Sequence, residues 1–204
     1  MKKIFKAILA ISIIGAMALG FAACGGNGGS DAIAVISREE GSGTRGAFVE
    51  LTGVEVDKVD KTVATAEISS STAVVMQTVA GNKAAIGYIS LGSLDNTVKA
   101  VKVDGVEATA DNVKNGTYPI CRPFNIATKG DLSDAAKDFI AFIQSDEGQQ
   151  VITDKGCVST GSTGAFTSGN PTGTVVVEGS SSVTPVMEKL AEAYMAINSG
   201  VTVK

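Results

Sequence analysis

The chain has 204 residues, 44% of them hydrophobic, 19% charged and 5% aromatic, which suits one or two compact lobes and not a disordered chain. It contains no His, so Ser/His/Asp and Cys/His catalysis, the HExxH zinc helix and the HRD kinase loop are excluded, leaving binding or carboxylate and lysine chemistry. Its formal net charge is −4, and without the three lysines of residues 1–23 the remaining 14 basic residues face 21 acidic ones, a balance poorly suited to nucleic acid.

Lys2, Lys3 and Lys6 flank an apolar run over residues 7–23, the charged-then-apolar plan of a secretory signal. The run is short and glycine-interrupted for a membrane span. It ends in FAAC, which resembles the lipobox of bacterial lipoproteins with Cys24 as the lipidated residue, although Phe21 stands where leucine is usual. Residues 1–24 are therefore expected to be signal and lipobox. Residues 25–32, rich in Gly, Asn and Ser, are expected to be a flexible tether holding a domain outside the membrane. The other two cysteines, Cys121 and Cys157, form an even pair that an exported protein can oxidise, but no CxxC or other spacing ties them together. Two buried free thiols are the favoured reading, and no metal or cofactor is expected.

Beyond the tether, short strands and helices alternate. Residues 32–37 (AIAVIS) read as a strand, EEGSG as a turn, and residues 44–51 as a helix stopped near Gly53. Residues 69–72 supply helix-capping hydroxyls before AVVMQTVA, Gly81 and Asn82 end that helix, and residues 84–90 form the next strand. The alternation over residues 98–108 predicts a hairpin turning at Asp104 and Gly105, and residues 118–128 predict another strand. Ser133 caps a helix running to Gln150, with Ala136, Phe139, Ile140 and Ile143 on one face. Residues 161–172 hold almost no packing side chains and read as a linker. Residues 173–177 then start a new unit, followed by a helix with Pro185 in its first turn and Val186, Leu190, Ala193, Tyr194 and Ile197 on one face. Such a βαβ unit of about thirty residues cannot bury a core alone, so it either packs onto the preceding lobe or belongs to a larger unit.

Two loops carry binding chemistry. In SREEGSGTR, small residues let backbone amides approach a ligand, and the following helix points its positive end at the same place. Ser42 and Thr44 add hydroxyls, and Arg38 offers a guanidinium fork suited to a tetrahedral oxyanion. The loop GSSS before Thr184 and Pro185 has the same form. Either loop alone is more often a plain turn and cap; two in one exported α/β chain point to an anion held between lobes.

SREEGSGTRGAF, AAIGYISLGSL, NVKNGTYPICRPFNIATKG, DFIAFIQSDEGQQVI and VEGSSSVTPVMEKLAEAY together resemble the phosphate-binding lipoprotein of bacterial Pst-type ABC transporters. The resemblance implies a type II periplasmic-binding-protein fold, α/β, with two lobes around a ligand cleft: residues 33–160 as one anion-binding lobe with its hinge and C-terminal helix segment, and residues 173–204 as an incomplete start of the other. It implies that Arg38, Ser42, Gly43 and Thr44 bind phosphate from one lobe and Ser181 and Ser182 from the other, with Glu40 orienting the arginine. It also implies a lipid-anchored, extracytoplasmic, non-enzymatic protein whose partners are inorganic phosphate and the transporter's permease. One departure is order: in the usual arrangement the GSSSV segment comes first, as though this chain were circularly permuted, a change tolerated where termini lie close together at the surface. The other is that the family's further serine and ligand-contacting aspartate are not found. Since hydrogenphosphate can donate a proton to a carboxylate and sulfate cannot, weak and poorly selective binding by this chain is expected. A sulfate- or molybdate-binding sister protein, and an exported phosphate-ester hydrolase using Ser42 or Ser181, are the alternatives.

Overall fold

The computed structural model describes residues 32–204, of which Ile33–Lys204 forms a compact unit. The expected signal, the lipobox with Cys24 and all but the last residue of the expected tether lie outside the described residues. Strand β1 (Ala34–Arg38) leads into helix α1 (Gly43–Leu51), followed by a two-stranded antiparallel ribbon, β2 (Glu55–Val56) and β3 (Val59–Asp60). Strand β4 (Glu67–Ser69), helix α2 (Thr72–Gly81) and strand β5 (Ala85–Gly87) complete a three-stranded parallel sheet in the order β4-β1-β5. The register pairs Arg38 with Ser69 and Ile36 with Gly87. The connection through α2 thus crosses from one side of β1 to the other. This puts β1 in the centre of the sheet and its last residue, Arg38, at the carboxyl edge, where open α/β sheets place their ligands. Ile36, Val49 and Val75 are buried between this sheet and its helices.

The segment that follows is less regular than its pattern suggests. The hairpin expected over residues 98–108 reduces to a turn at Asp104 and Gly105 closed by a single bridge between Val103 and Val106. Helix α3 (Ala110–Lys114) is short, and residues 118–128 form no strand. Pro119 and Pro123 remove two backbone donors from that stretch, and residues 121–130 are exposed, so it has neither the ladder nor the burial a strand needs.

The helix expected from Ser133 to Gln150 is two helices, α4 (Asp134–Gln144) and α5 (Asp146–Asp154). Ser145 breaks it: its extended backbone ends α4 while its hydroxyl donates to the Phe142 carbonyl at 2.7 Å and accepts from the Gly148 amide at 3.2 Å, capping α5. Strand β6 (Gly173–Val175), helix α6 (Thr184–Ile197) and strand β7 (Val201–Val203) form the last βαβ unit, with β6 and β7 parallel. Its core is completed by α4: Ala135, Phe139, Phe142 and Ile143 pack with Val175, Val186, Leu190, Tyr194 and Val201, and Val151 and Ile152 of α5 pack against this cluster. Burying each of the larger of these side chains contributes about 1.5–3 kcal/mol, which a lone βαβ unit would forgo.

Residues 161–172 pack more than their composition suggests. The Phe166 ring meets Phe142 edge-on with centroids 5.2 Å apart and lies 6.1 Å from Tyr194. Asp138 of α4 accepts hydrogen bonds from the Ser168 hydroxyl at 2.9 Å, the Gly169 amide at 2.8 Å and the Tyr194 hydroxyl at 2.9 Å. One carboxylate thereby ties the connecting segment to α4 and α6. Cys121 and Cys157 are both free, and Cys121 is exposed where burial was expected.

Candidate anion-binding site

The site is built around the end of β1. Tyr88, one residue past β5, stacks its ring on Phe48 of α1 with centroids 4.1 Å apart and planes 6° from parallel. Its hydroxyl meets the Ser37 hydroxyl at 2.8 Å and accepts from the Arg38 amide at 3.1 Å. On the other side, Arg45 donates to the Arg38 carbonyl at 2.8 Å while its Nε binds Asp60 at 2.7 Å. Hydrogen bonds from the Thr62 hydroxyl and amide, joined by the Arg45 guanidinium, hold the Asp60 carboxyl down to about 2, so it stays ionised at neutral pH and keeps Arg45 in place. The backbone of Arg38 is therefore held at both its amide and its carbonyl.

The Arg38 side chain is 1% exposed, and each of its nitrogens has acceptors. Nε donates to Glu39 Oε2 at 2.8 Å and to the Ser69 carbonyl at 3.2 Å. Nη1 donates to the Thr72 hydroxyl at 3.2 Å and the Ser182 hydroxyl at 3.3 Å. Nη2 donates to Glu39 Oε1 at 2.9 Å and the Ser181 hydroxyl at 3.1 Å. The Thr44 and Ser182 hydroxyls lie 2.6 Å apart, and the Ser90 hydroxyl donates to the Ser182 carbonyl at 3.0 Å. The structure thus brings Arg38, Thr44, Ser181 and Ser182 into one hydrogen-bonded cluster, joining loops that lie 144 residues apart in the chain.

A cavity of about 470 Å³ opens beside this cluster, walled by residues 41–43 on one side and 179–181 on the other, with Glu39 and Ser70 between them. Residues 39–42 form a turn in which the Ser42 amide donates to the Glu39 carbonyl at 3.2 Å and Gly41 takes φ +82°, a conformation that favours glycine. Ser42 caps α1, its hydroxyl accepting from the Arg45 amide at 3.3 Å. The amides of Gly43 and Thr44 lie in the first turn of that helix and have no intrahelical acceptor, so they are available to an anion at the positive end of the helix. Residue by residue, Gly43 and Ser42 line the cavity, Ser181 lines it and binds Arg38, and Thr44 and Ser182 belong to the hydrogen-bonded cluster without lining the cavity.

The expectation for Glu40 is corrected. Glu39, not Glu40, grips Arg38, because Glu40 sits at the corner of the turn and is turned out to solvent, whereas Glu39 folds back against the Nε and Nη2 edge. The guanidinium beside it holds the Glu39 carboxyl below its ordinary value. Besides Tyr88 and Ser90, Thr72 is a participant that the pattern of residues does not reveal as such. Its stretch ISSST repeats the strand, hydroxyl run and helix start of EGSSSV, a likeness read only as helix capping. Among the described residues, no three Cys, Asp or Glu side chains come together to hold a metal ion.

A family model described as a PBP superfamily domain matches residues 5–147. The phosphate-binding protein PstS 2 of Streptococcus pneumoniae TIGR4 is 48% identical over 210 residues, covering 98% of this chain and 72% of the relative. Among solved structures, that of a phosphate-binding protein of a phosphate ABC transporter from the same organism aligns with a TM-score of 0.66 at 50% identity, over 84% of this chain and 69% of that one. A putative phosphate ABC transporter substrate-binding protein from Clostridium perfringens, solved with bound phosphate, aligns with a TM-score of 0.58 at 42% identity, over 63% of this chain and 52% of its own. The match to the S. pneumoniae relative runs in chain order through 98% of this sequence and so spans both loops. The β4-β1-β5 parallel sheet, the site at its carboxyl edge and these matches agree: the chain belongs to the PstS family of the PBP superfamily, with the type II periplasmic-binding fold.

Proposed function

We propose that this protein binds inorganic phosphate outside the cytoplasm, as a lipoprotein anchored through Cys24, and hands it to the permease of an ABC transporter. It acts by binding and not by catalysis. The observation that carries this reading is the meeting of two sequence-distant loops on one buried arginine: the Ser181 and Ser182 hydroxyl oxygens accept hydrogen bonds from Arg38 beside a cavity walled by the start of α1. A tetrahedral anion in that cavity is offered the Gly43 and Thr44 amides, the Ser181 hydroxyl and the charge of Arg38. Ser42 and Gly43 shape its wall, while Thr44 and Ser182 support the cluster. Binding between a loop from β1 and a loop from β6 suits a hinge mechanism in which the anion favours the closed arrangement that the permease accepts.

Calorimetric titration of phosphate into the soluble chain from Gly25 onward, with circular dichroism to verify folding, tests this reading. Phosphate is expected to bind, and Arg38→Ala to lose that binding. Equal binding by both proteins would refute the site. Labelling with radioactive palmitate in a bacterial host, lost in Cys24→Ser, tests the anchor.

A further inference from the structure

We infer that Glu39 is a built-in competitor for the anion: it occupies the edge of Arg38 that the ligand must take, so that binding requires its release. This inference rests on the phosphate reading above. The guanidinium presents no unclaimed N–H to the cavity. Its Nη1 is committed to Thr72 and Ser182, 5% and 3% exposed, and Ser69 contributes a backbone carbonyl, so these acceptors cannot withdraw without opening the packed site. Glu39 differs from all of them. It lines the cavity, its side chain is 35% exposed, and it alone holds two Arg38 nitrogens, Nε and Nη2, in the paired fork geometry that a phosphate or sulfate can equally adopt. Two oxygens of a tetrahedral anion can replace the two carboxylate oxygens with little movement of the arginine, while the Glu39 side chain swings into solvent.

The carboxylate also explains how a buried guanidinium is kept charged and oriented before an anion binds, since an unpaired buried charge is costly. Glu39 is ionised at neutral pH like any glutamate, and the Arg38 hydrogen bonds hold its carboxyl below its ordinary value. The apparent affinity of the site is then its intrinsic affinity reduced by the fraction of molecules in which Glu39 has let go. A partly exposed ion pair makes that reduction about 1.5- to 5-fold.

The test is calorimetric titration of phosphate and, separately, sulfate into the wild-type chain, Glu39→Gln and Glu39→Ser at fixed ionic strength, each variant checked for folding by circular dichroism. Glu39→Gln keeps an acceptor for Arg38 and removes the charge; Glu39→Ser shortens the side chain beyond reach. Both are expected to bind phosphate and sulfate about 1.5- to 5-fold more tightly, because a competitor acts before the anion's identity matters. Wild-type binding with unchanged or weaker affinity in the variants would overturn the competitor while leaving the phosphate site standing. Weaker phosphate together with tighter sulfate would overturn it too, assigning Glu39 to accepting the proton of hydrogenphosphate. No binding of either anion by any of the three would overturn the phosphate reading, and this inference with it.

Discussion

Replacing Asp138 with alanine tests how the last βαβ unit is fastened. The carboxylate accepts from the Tyr194 hydroxyl, the Ser168 hydroxyl and the Gly169 amide, at 2.9, 2.9 and 2.8 Å. Tyr194 is fully buried, and its other polar neighbour, the Asn198 side-chain amide at 3.2 Å, is itself a donor. Without Asp138 the tyrosine proton therefore has no acceptor in the core. Hydrogen bonds to a charged group contribute about 1.5–3 kcal/mol each, but these three share one partly exposed carboxylate, so the expected loss is about 2–4 kcal/mol. Burial acts to raise the Asp138 carboxyl, yet the Gly169, Tyr194 and Ser168 hydrogen bonds together outweigh it and hold it below its ordinary value of 3.8. The contribution of a depressed carboxyl is present above its unfolded value and is lost as pH falls through its folded one. Urea unfolding followed by circular dichroism should give a gap between wild type and Asp138→Ala that is wide at pH 7 and narrows below about pH 4. A gap under about 0.5 kcal/mol at pH 7, or one that does not narrow in acid, would refute the reasoning.

Gly148→Ala should destabilise the protein by about 1–3 kcal/mol in the same assay, because the added Cβ would collide with the Phe142 carbonyl oxygen and lie 2.8 Å from the Ile143 Cα, both backbone atoms; an effect below 0.5 kcal/mol would contradict the tight junction of α4 and α5. Tyr88→Phe removes the hydroxyl that accepts from the Arg38 amide and meets Ser37, and is expected to cost about 1 kcal/mol and to weaken phosphate binding; unchanged binding would mean that this hydroxyl does not position the arginine. A thiol-alkylating reagent at neutral pH should modify the exposed Cys121 well before the half-buried Cys157, whose thiol burial pushes up, and mass spectrometry of the digested protein reads the order.

The features legible in the sequence are those set by local chemistry. A β-branched run, a glycine-rich turn and a capping serine were enough to place β1, the turn and α1, and the matching hydroxyl loop before α6 pointed to the second half of the site. What escaped depends on contacts between distant residues. Whether Glu39 or Glu40 meets Arg38 is decided by which of them stands at the corner of a turn, and composition treats the two alike. Thr72 reads as an ordinary first-turn threonine until β4 is paired beside β1, which brings α2 to Arg38. The helix from Ser133 reads as running to Gln150 because Gln144, Glu147, Gln149 and Gln150 suit a helix, whereas the Ser145 cap, two residues past the end of the apolar face at Ile143, divides it in two. Residues 118–128 carry a strand's composition without a neighbouring strand to pair with among the described residues.

The central claim is that the loops after β1 and β6 form one anion site on Arg38, and a crystal structure of the chain grown in saturating phosphate tests it most directly. Tetrahedral density is expected in the cavity between residues 41–43 and 179–181, with two oxygens on Arg38 and Glu39 turned away from it. Density bound elsewhere, or a cavity free of phosphate with the Glu39–Arg38 pair intact, would contradict the account.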